Sequence, residues 1–162
     1  LVMNAHARNQ VAGQRRRDQQ QPRRHVVAVG ELPDEILVEI ELPFSPPRTG
    51  WSFMEVAPRA GDYAMMGVAV LLTLDENGKC QKAKLVYLNA GEGPVEATEA
   101  AGSLESQVID AKSIKSAAEH ASEKEMNPFG NMHASAEFQR HLAKVLTQKA
   151  LQQATQRAGE LQ

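Results

Sequence analysis

The 162-residue sequence lacks several features that would mark a common class of function. Its single cysteine, Cys80, rules out an internal disulfide and any cysteine-rich zinc or iron–sulfur site made by this chain alone. No apolar run approaches the roughly 20 residues that span a bilayer, and the first residues contain no apolar core followed by a small-residue cleavage site. We therefore expect a cytoplasmic protein without membrane contact. Any iron–sulfur cluster that serves its function must be carried by another chain.

The charge of the chain is nearly balanced, with 18 basic and 20 acidic side chains and a formal net charge of -2. This balance gives no electrostatic footprint for nucleic acid or an acidic membrane. The arginine-rich segment 15–24 has no interleaved aromatic residue that could stack on a base. The sequence therefore predicts no nucleic-acid partner.

Recognisable catalytic and ligand-binding motifs are missing as well. The five histidines are scattered, without a His-Glu-x-x-His pair that could hold a metal. No glycine-rich phosphate loop and no Gly-x-Ser-x-Gly nucleophile motif is present. Cys80 has no histidine near it in the sequence, so we expect an inert thiol. We predict no catalytic residue and no metal ligand, and from the residues alone the chain is interpreted as a packing or assembly domain.

Composition divides the chain near residue 26. Residues 15–24 contain no apolar side chain, so residues 1–25 are predicted to be disordered or loosely attached. The remainder, residues 26–162, is long and apolar enough to bury one core. We therefore predict a single domain there.

Strand patterns occupy the first half of this domain. Residues 36–42 alternate apolar and acidic side chains up to Pro43, which predicts a strand with one solvated face. Residues 64–74 are apolar on both alternating faces, which is typical of a strand covered on both sides. Asn77 and Gly78 then favour a tight hairpin, so residues 79–88 should return antiparallel.

Helical patterns follow in the second half. Residues 94–104 can hold a short helix, and a second helix should stop before Asn127 and Pro128. A longer third helix is predicted to start near Ser135. The apolar stripes are Ala111, Ile114, Ala118 and Ala121 in the second helix, and Phe138, Leu142, Val145, Leu146 and Ala150 in the third. The predicted class is α+β, with a small antiparallel sheet of three to four strands followed by three helices packed on one face.

Four segments together resemble a known family. They are residues 33–43 (PDEILVEIELP), 50–64 (GWSFMEVAPRAGDYA), 75–80 (DENGKC) and 133–142 (HASAEFQRHL) together with 145–151 (VLTQKAL). In this order they resemble the C-terminal domain of the FAD-binding medium subunit of molybdenum hydroxylases. The likeness is closest to the carbon monoxide dehydrogenase flavoprotein, and xanthine dehydrogenase is a more distant relative. The resemblance covers residues 32–154.

The resemblance implies a role in electron transfer. In such enzymes electrons pass from a molybdenum cofactor through 2Fe–2S clusters, both in partner subunits, to FAD. The expected partners are the FAD-binding domain of the same subunit and the iron–sulfur and molybdenum subunits. The two glycine-rich segments that hold FAD in the family's preceding domain are absent here, so the sequence looks like the tail of a longer subunit, and FAD binding would require the missing domain.

Three residues fall at positions where the family lines the flavin. Leu37 matches a leucine that lies against FAD in xanthine dehydrogenase relatives, and Phe53 matches an aromatic near the isoalloxazine ring in carbon monoxide dehydrogenase-like subunits. Met54 replaces a lysine of xanthine dehydrogenase relatives, so it can offer only a backbone or packing contact. Ordinary core or edge positions explain Leu37 and Phe53 equally well.

Two functional hypotheses follow. In the first, the chain is the C-terminal domain of a flavoprotein subunit, where it lines the flavin and helps to assemble the subunit. In the second, it is a free-standing, non-catalytic assembly domain or a truncated relic. The flavin-side positions Leu37 and Phe53 favour the first hypothesis.

Overall fold

Four antiparallel strands make up the sheet of the computed structural model, which describes residues 44–160. They lie side by side in chain order: β1 (Thr49–Val56), β2 (Met66–Leu74), β3 (Cys80–Leu88) and β4 (Val95–Glu96). The predictions for residues 1–25, for the strand at 36–42 and for Leu37 fall outside the described residues.

The hairpin between β2 and β3 forms as the sequence predicts. Gly78 adopts a φ of 76°, a left-handed conformation that glycine reaches without steric cost. The Asp75 carboxylate oxygen Oδ1 accepts hydrogen bonds from the backbone N–H groups of Asn77, at 2.9 Å, and Lys79, at 2.8 Å. This Asx-type turn fixes the register of the two central strands.

Three helices follow the sheet: α1 (Thr98–Leu104), α2 (Ala111–Lys124) and α3 (Ala136–Glu160). The predicted helical segment 94–104 becomes helical only at Thr98, because Val95 and Glu96 pair with β3. In the capping box at the start of α2, Asp110 and Ser113 satisfy each other's backbone N–H groups. The helix ends before Asn127 and Pro128, as predicted. Within residues 44–160, no helix is both long and apolar enough to cross a membrane.

The core lies between one face of the sheet and the helices. Val68, Val70, Leu72, Leu85 and Tyr87 project from the two central strands into this layer and are at most 1% exposed. The side of α3 that faces them is lined mainly by small residues, namely Ala143, Ala150, Ala154 and Ala158. These alanines let the long helix lie close to the strands. The predicted α+β class, with three helices on one face of a four-stranded sheet, is confirmed.

The predicted apolar stripe of α3 is wrong at its first member. Phe138 is 44% exposed and stacks on the His141 ring, with 6.4 Å between the ring centroids. The neighbouring Gln139 is buried instead, and its amide nitrogen donates to the Met65 carbonyl at 3.1 Å while its amide oxygen accepts from the Gly130 backbone N–H at 3.0 Å. Hydrophobicity predicted the wrong residue because these backbone groups need a polar partner when they are buried.

Candidate functional site

The two predicted flavin-side residues within the described structure, Phe53 and Met54, are neighbours in β1 and point to opposite faces of the sheet. Met54 is half-buried and packs against the core under the helices. Phe53 is 45% exposed on the other face, where it lies opposite Ala69 of β2. Successive strand residues alternate between faces, so the two side chains cannot line one surface.

The face that carries Phe53 is here named the open face, because the described residues place no helix over it. Its members are the buried Thr49 and, beyond it, Trp51, Phe53, Glu55, Gly67, Ala69, Leu71, Thr73, Lys82, Lys84, Val86, Leu88 and Glu96. Four of them are charged, namely Glu55 on β1, Lys82 and Lys84 on β3, and Glu96 on β4. Lys84 and Glu96 pair with each other at 3.3 Å. The middle of the open face, on β2, is therefore uncharged, and the charges of this face lie on the strands to either side of β2.

The strand β2 is apolar on both faces, and the described structure covers only one of them. Met66, Val68, Val70, Leu72 and Leu74 are buried against the helices, whereas Ala69 and Leu71 are only half-buried on the open face. The described residues supply a cover for the first face alone. A cover for the second face stays a prediction, and the open face is where it would lie.

An aromatic residue that the sequence analysis did not single out shares this face. Trp51 lies two residues before Phe53 in β1 and is 53% exposed. Arg157, in the last turn of α3, lies over its ring with 4.4 Å between the guanidinium carbon and the ring centroid. The Nη1 of Arg157 also donates a 2.7 Å hydrogen bond to the Trp51 carbonyl. Alternation along β1 could have indicated Trp51, but no sequence pattern links it to a residue 106 positions away.

His120 contacts two carboxylates near the starts and ends of the first two helices. The Nε2 of His120 lies 3.0 Å from a carboxylate oxygen of Glu99 and 4.0 Å from one of Glu125. No group of three or more potential metal-ligating side chains occurs among residues 44–160. The His120 contacts therefore join α1 to α2 and provide no metal centre.

The Cys80 thiol is buried, and its raised pKa makes it less reactive. Burial raises this pKa from 9.0 to about 11, and the nearby Glu105 carboxylate acts in the same direction. A thiol that keeps its proton at neutral pH is a poor nucleophile. This environment agrees with the inert Cys80 expected from the sequence.

The raised pKa of Cys80 predicts a loss of stability in alkali. The unfolded chain releases the thiol proton near 9.0, whereas the folded chain holds it to about 11. The stabilising contribution is therefore complete below pH 9.0 and is lost as pH rises to about 11. Urea unfolding across this range should show a steeper fall for the wild type than for the Cys80→Ala variant. Equal slopes would contradict the assignment.

A shallow cavity of about 500 Å³ lies at the Thr49 end of β1. It is lined by residues 46–48 and by the hairpin residues Leu74, Asp75, Glu76, Asn77 and Gln81. Neither Phe53 nor Trp51 contributes to its wall. The cavity and the open face are therefore separate features.

Comparisons with known proteins identify the family. The sequence model of the CO dehydrogenase flavoprotein C-terminal domain matches residues 51–154. The chain belongs to the CO dehydrogenase flavoprotein C-terminal domain family. This assignment confirms the resemblance drawn from the sequence.

Two relatives and one solved structure support this family assignment. The chain is 34% identical over 127 residues to the 6-hydroxypseudooxynicotine dehydrogenase complex subunit alpha of Paenarthrobacter nicotinovorans, covering 78% of this chain and 43% of that subunit. It is 30% identical over 126 residues to the carbon monoxide dehydrogenase medium chain of Afipia carboxidovorans, with the same coverages of 78% and 43%. A crystal structure of Cu,Mo-CO dehydrogenase in its cyanide-inactivated form matches with a TM-score of 0.69 and 28% identity, covering 75% of this chain and 42% of that chain. The chain thus spans less than half the length of these relatives.

A flavoprotein domain implies FAD, and the described residues fit one end of that cofactor. The open face offers flat apolar side chains that suit an isoalloxazine ring. The pyrophosphate end needs N–H donors of the kind found at helix N-termini. Here side chains of the chain itself already accept from such donors: Glu125 at the start of α1, Asp110 at the start of α2 and Ser135 at the start of α3. Residues 44–160 can therefore face the ring, but their helix starts are already capped against a phosphate.

Proposed function

We propose that this domain covers the isoalloxazine end of an FAD that is bound by the FAD-binding domain of the same subunit, and that it helps to assemble that subunit. The observation that carries the proposal is the exposed Phe53 on an apolar sheet face of a flavoprotein-family domain. The capped helix starts support the division of labour, because they leave the phosphates to another domain.

The proposal gives each candidate residue a limited role. The Phe53 ring would lie against the flavin and exclude water from that side, since a phenyl group presents a flat surface without polar atoms. Met54 packs under α3, so its contribution would be to hold the backbone of β1 in place. Leu37 remains a proposed contact from the segment before β1. None of the three supplies a proton or a nucleophile.

At the level of the whole enzyme, we place the subunit in a molybdenum hydroxylase. The proposed partners are the iron–sulfur and molybdenum subunits, which would carry the 2Fe–2S clusters and the molybdenum cofactor. The names of two relatives, a dehydrogenase complex subunit and a Cu,Mo-CO dehydrogenase, support this placement. When bound, FAD would receive electrons that originate at the molybdenum centre and pass them to an acceptor.

The second hypothesis, a free-standing assembly domain, predicts a different behaviour. The open apolar face alone would satisfy it, because a sheet face with exposed aromatic side chains suits a protein partner of any kind. Under this hypothesis the chain would bind its partner equally well with and without FAD. Flavin dependence of the association therefore separates the two hypotheses.

Flavin retention tests the proposal directly. The full 162-residue chain would be mixed with the FAD-loaded part of the Paenarthrobacter relative that lies outside the matched region, and flavin release would be followed by absorbance. We expect the chain to slow flavin release, and Phe53→Ala to weaken its association about tenfold, an effect typical of a buried aromatic anchor.

The matched control is Phe129→Ala. Phe129 is 66% exposed but lies in the segment between α2 and α3, outside the sheet. This variant should behave as the wild type does. The proposal fails if the wild-type chain leaves flavin release unchanged, or if it binds FAD by itself with no partner.

A further inference from the structure

The contact between Arg157 and Trp51 links the helical layer to the open face. Arg157 belongs to α3, which packs on the opposite side of the sheet, and its side chain reaches β1 from there. It meets Trp51 twice, through the ring face and through the backbone carbonyl. The hydrogen bond to the backbone carbonyl anchors the guanidinium, and the anchored guanidinium lies on the indole ring and restricts its rotation.

This restriction has a physical consequence for binding. An exposed tryptophan samples several rotamers, and a partner that docks on it must pay the entropy of fixing one of them. Because Arg157 stacks on the ring in the free domain, part of this ordering is already complete. A pre-ordered aromatic side chain next to a second one is typical of the residues that dominate protein interfaces.

Packing of the hydrophobic core does not explain the two aromatic side chains Trp51 and Phe53. Trp51 is 53% exposed and Phe53 is 45% exposed, so neither ring is enclosed by the domain. Both lie on the same face, two residues apart in β1, and their strand neighbours Leu71 and Ala69 are small or aliphatic. Of the charges on this face, Lys84 and Glu96 pair with each other, whereas Glu55 lies two residues after Phe53 on the same strand.

We propose that Trp51 and Phe53 together form an aromatic platform that docks the isoalloxazine-bearing surface of the FAD-binding domain, and that Arg157 is the positioning residue that holds Trp51 for it. This inference rests on the proposed function and extends it to two residues without an assigned role. The flavin-bearing domain is the expected occupant for two reasons. The relatives are more than twice as long as the matched region, and two exposed aromatic side chains on one sheet face suit a planar ring system.

Trp51 is the only tryptophan of the chain, which makes its fluorescence a direct reporter of the platform. The full chain would be titrated with the FAD-loaded partner used for flavin retention, and the Trp51→Phe variant would supply the background signal of the partner. A flavin that docks on the platform should quench most of the Trp51 emission. The same partner stripped of FAD should leave much of that emission in place.

Substitutions then test the two roles. Trp51→Ala should weaken the association about tenfold or more, as the loss of an aromatic anchor does. Arg157→Gln should weaken it about two- to fivefold, because it removes the cation–π contact while Trp51 remains. Arg157→Lys should recover part of the loss, since it restores the charge without the planar fork. Lys149→Gln removes a charge from an exposed position on the same helix and should have no effect.

The outcomes separate this inference from the proposed function. Folding of each variant would be verified by circular dichroism. If Phe53→Ala weakens the association while Trp51→Ala and Arg157→Gln bind as the wild type does, the platform is overturned and the proposed function stands. If the wild-type chain does not bind the FAD-loaded partner, both fail. Sedimentation that shows a dimer abolished by Trp51→Ala, with no binding to the FAD-loaded partner, would assign the platform to a second copy of the chain and overturn the inference.

Discussion

Replacing Gly50 with alanine is expected to destabilise the domain by about 3 kcal/mol or more, because β1 and α3 touch backbone to backbone at this position. A Cβ atom added to Gly50 would lie 1.8 Å from the Ala154 carbonyl oxygen and 2.6 Å from the Ala158 nitrogen. Neither atom belongs to a flexible side chain, so the strand or the helix must move. Urea unfolding followed by circular dichroism would measure the loss.

The matched control is Gly102→Ala. Gly102 lies within α1, and an added Cβ would meet nothing within 4 Å. Alanine has the higher helix propensity, so this variant should gain about 0.5–1 kcal/mol of stability. A loss below about 1 kcal/mol for Gly50→Ala would contradict the close approach of β1 and α3.

Replacing Glu125 with alanine is expected to cost about 2–3 kcal/mol, because this carboxylate caps a helix to which it does not belong. Its two oxygens accept hydrogen bonds from the backbone N–H groups of Glu99, at 2.9 Å, and Ala100, at 2.8 Å. The N-cap residue of α1 is Ala97, whose methyl group cannot accept a hydrogen bond. The Glu125 side chain is only 11% exposed, so in the variant water would replace the lost hydrogen bonds incompletely.

Two measurements would test the Glu125 cap. Urea unfolding should report the loss of global stability, and amide hydrogen exchange should show faster exchange at Glu99 and Ala100 than in the wild type. Glu123→Ala is the control, since it removes the same charge from an exposed position in the last turn of α2 and should change stability by less than about 0.5 kcal/mol. Equal stabilities of the two variants would exclude the capping role.

The order and type of most of the described elements were predictable from local patterns. Alternation, the Asn77–Gly78 turn and the three-to-four spacing of apolar residues each depend on a few neighbouring positions. They predicted the β2–β3 hairpin, the end of α2 and the start of α3 within one or two residues. Two strands were missed: β1 (Thr49–Val56), where apolar and polar residues do not alternate cleanly, and the two-residue β4, whose pairing with β3 depends on residues that lie apart in the chain.

The candidate site was predictable only in part. The resemblance selected Phe53 and Met54, but a linear motif contains no information about which sheet face meets the helices. The packing of α3 buried Met54 and left Phe53 exposed together with Trp51. Arg157 could not be recognised at all, because its contact with Trp51 joins the end of the last helix to the first strand of the described sheet.

By itself, the sequence determined the α+β class, the family and the absence of a cysteine-rich metal site, because each of these follows from composition or from short-range patterns. Only the tertiary structure decided which face of β1 is open, why Gly50 must lack a side chain and how the Glu125 carboxylate, at the C-cap of α2, caps α1. These features arise from contacts between residues that are distant in the chain. Such contacts are fixed by the simultaneous packing of the sheet and the helices, which no local pattern records.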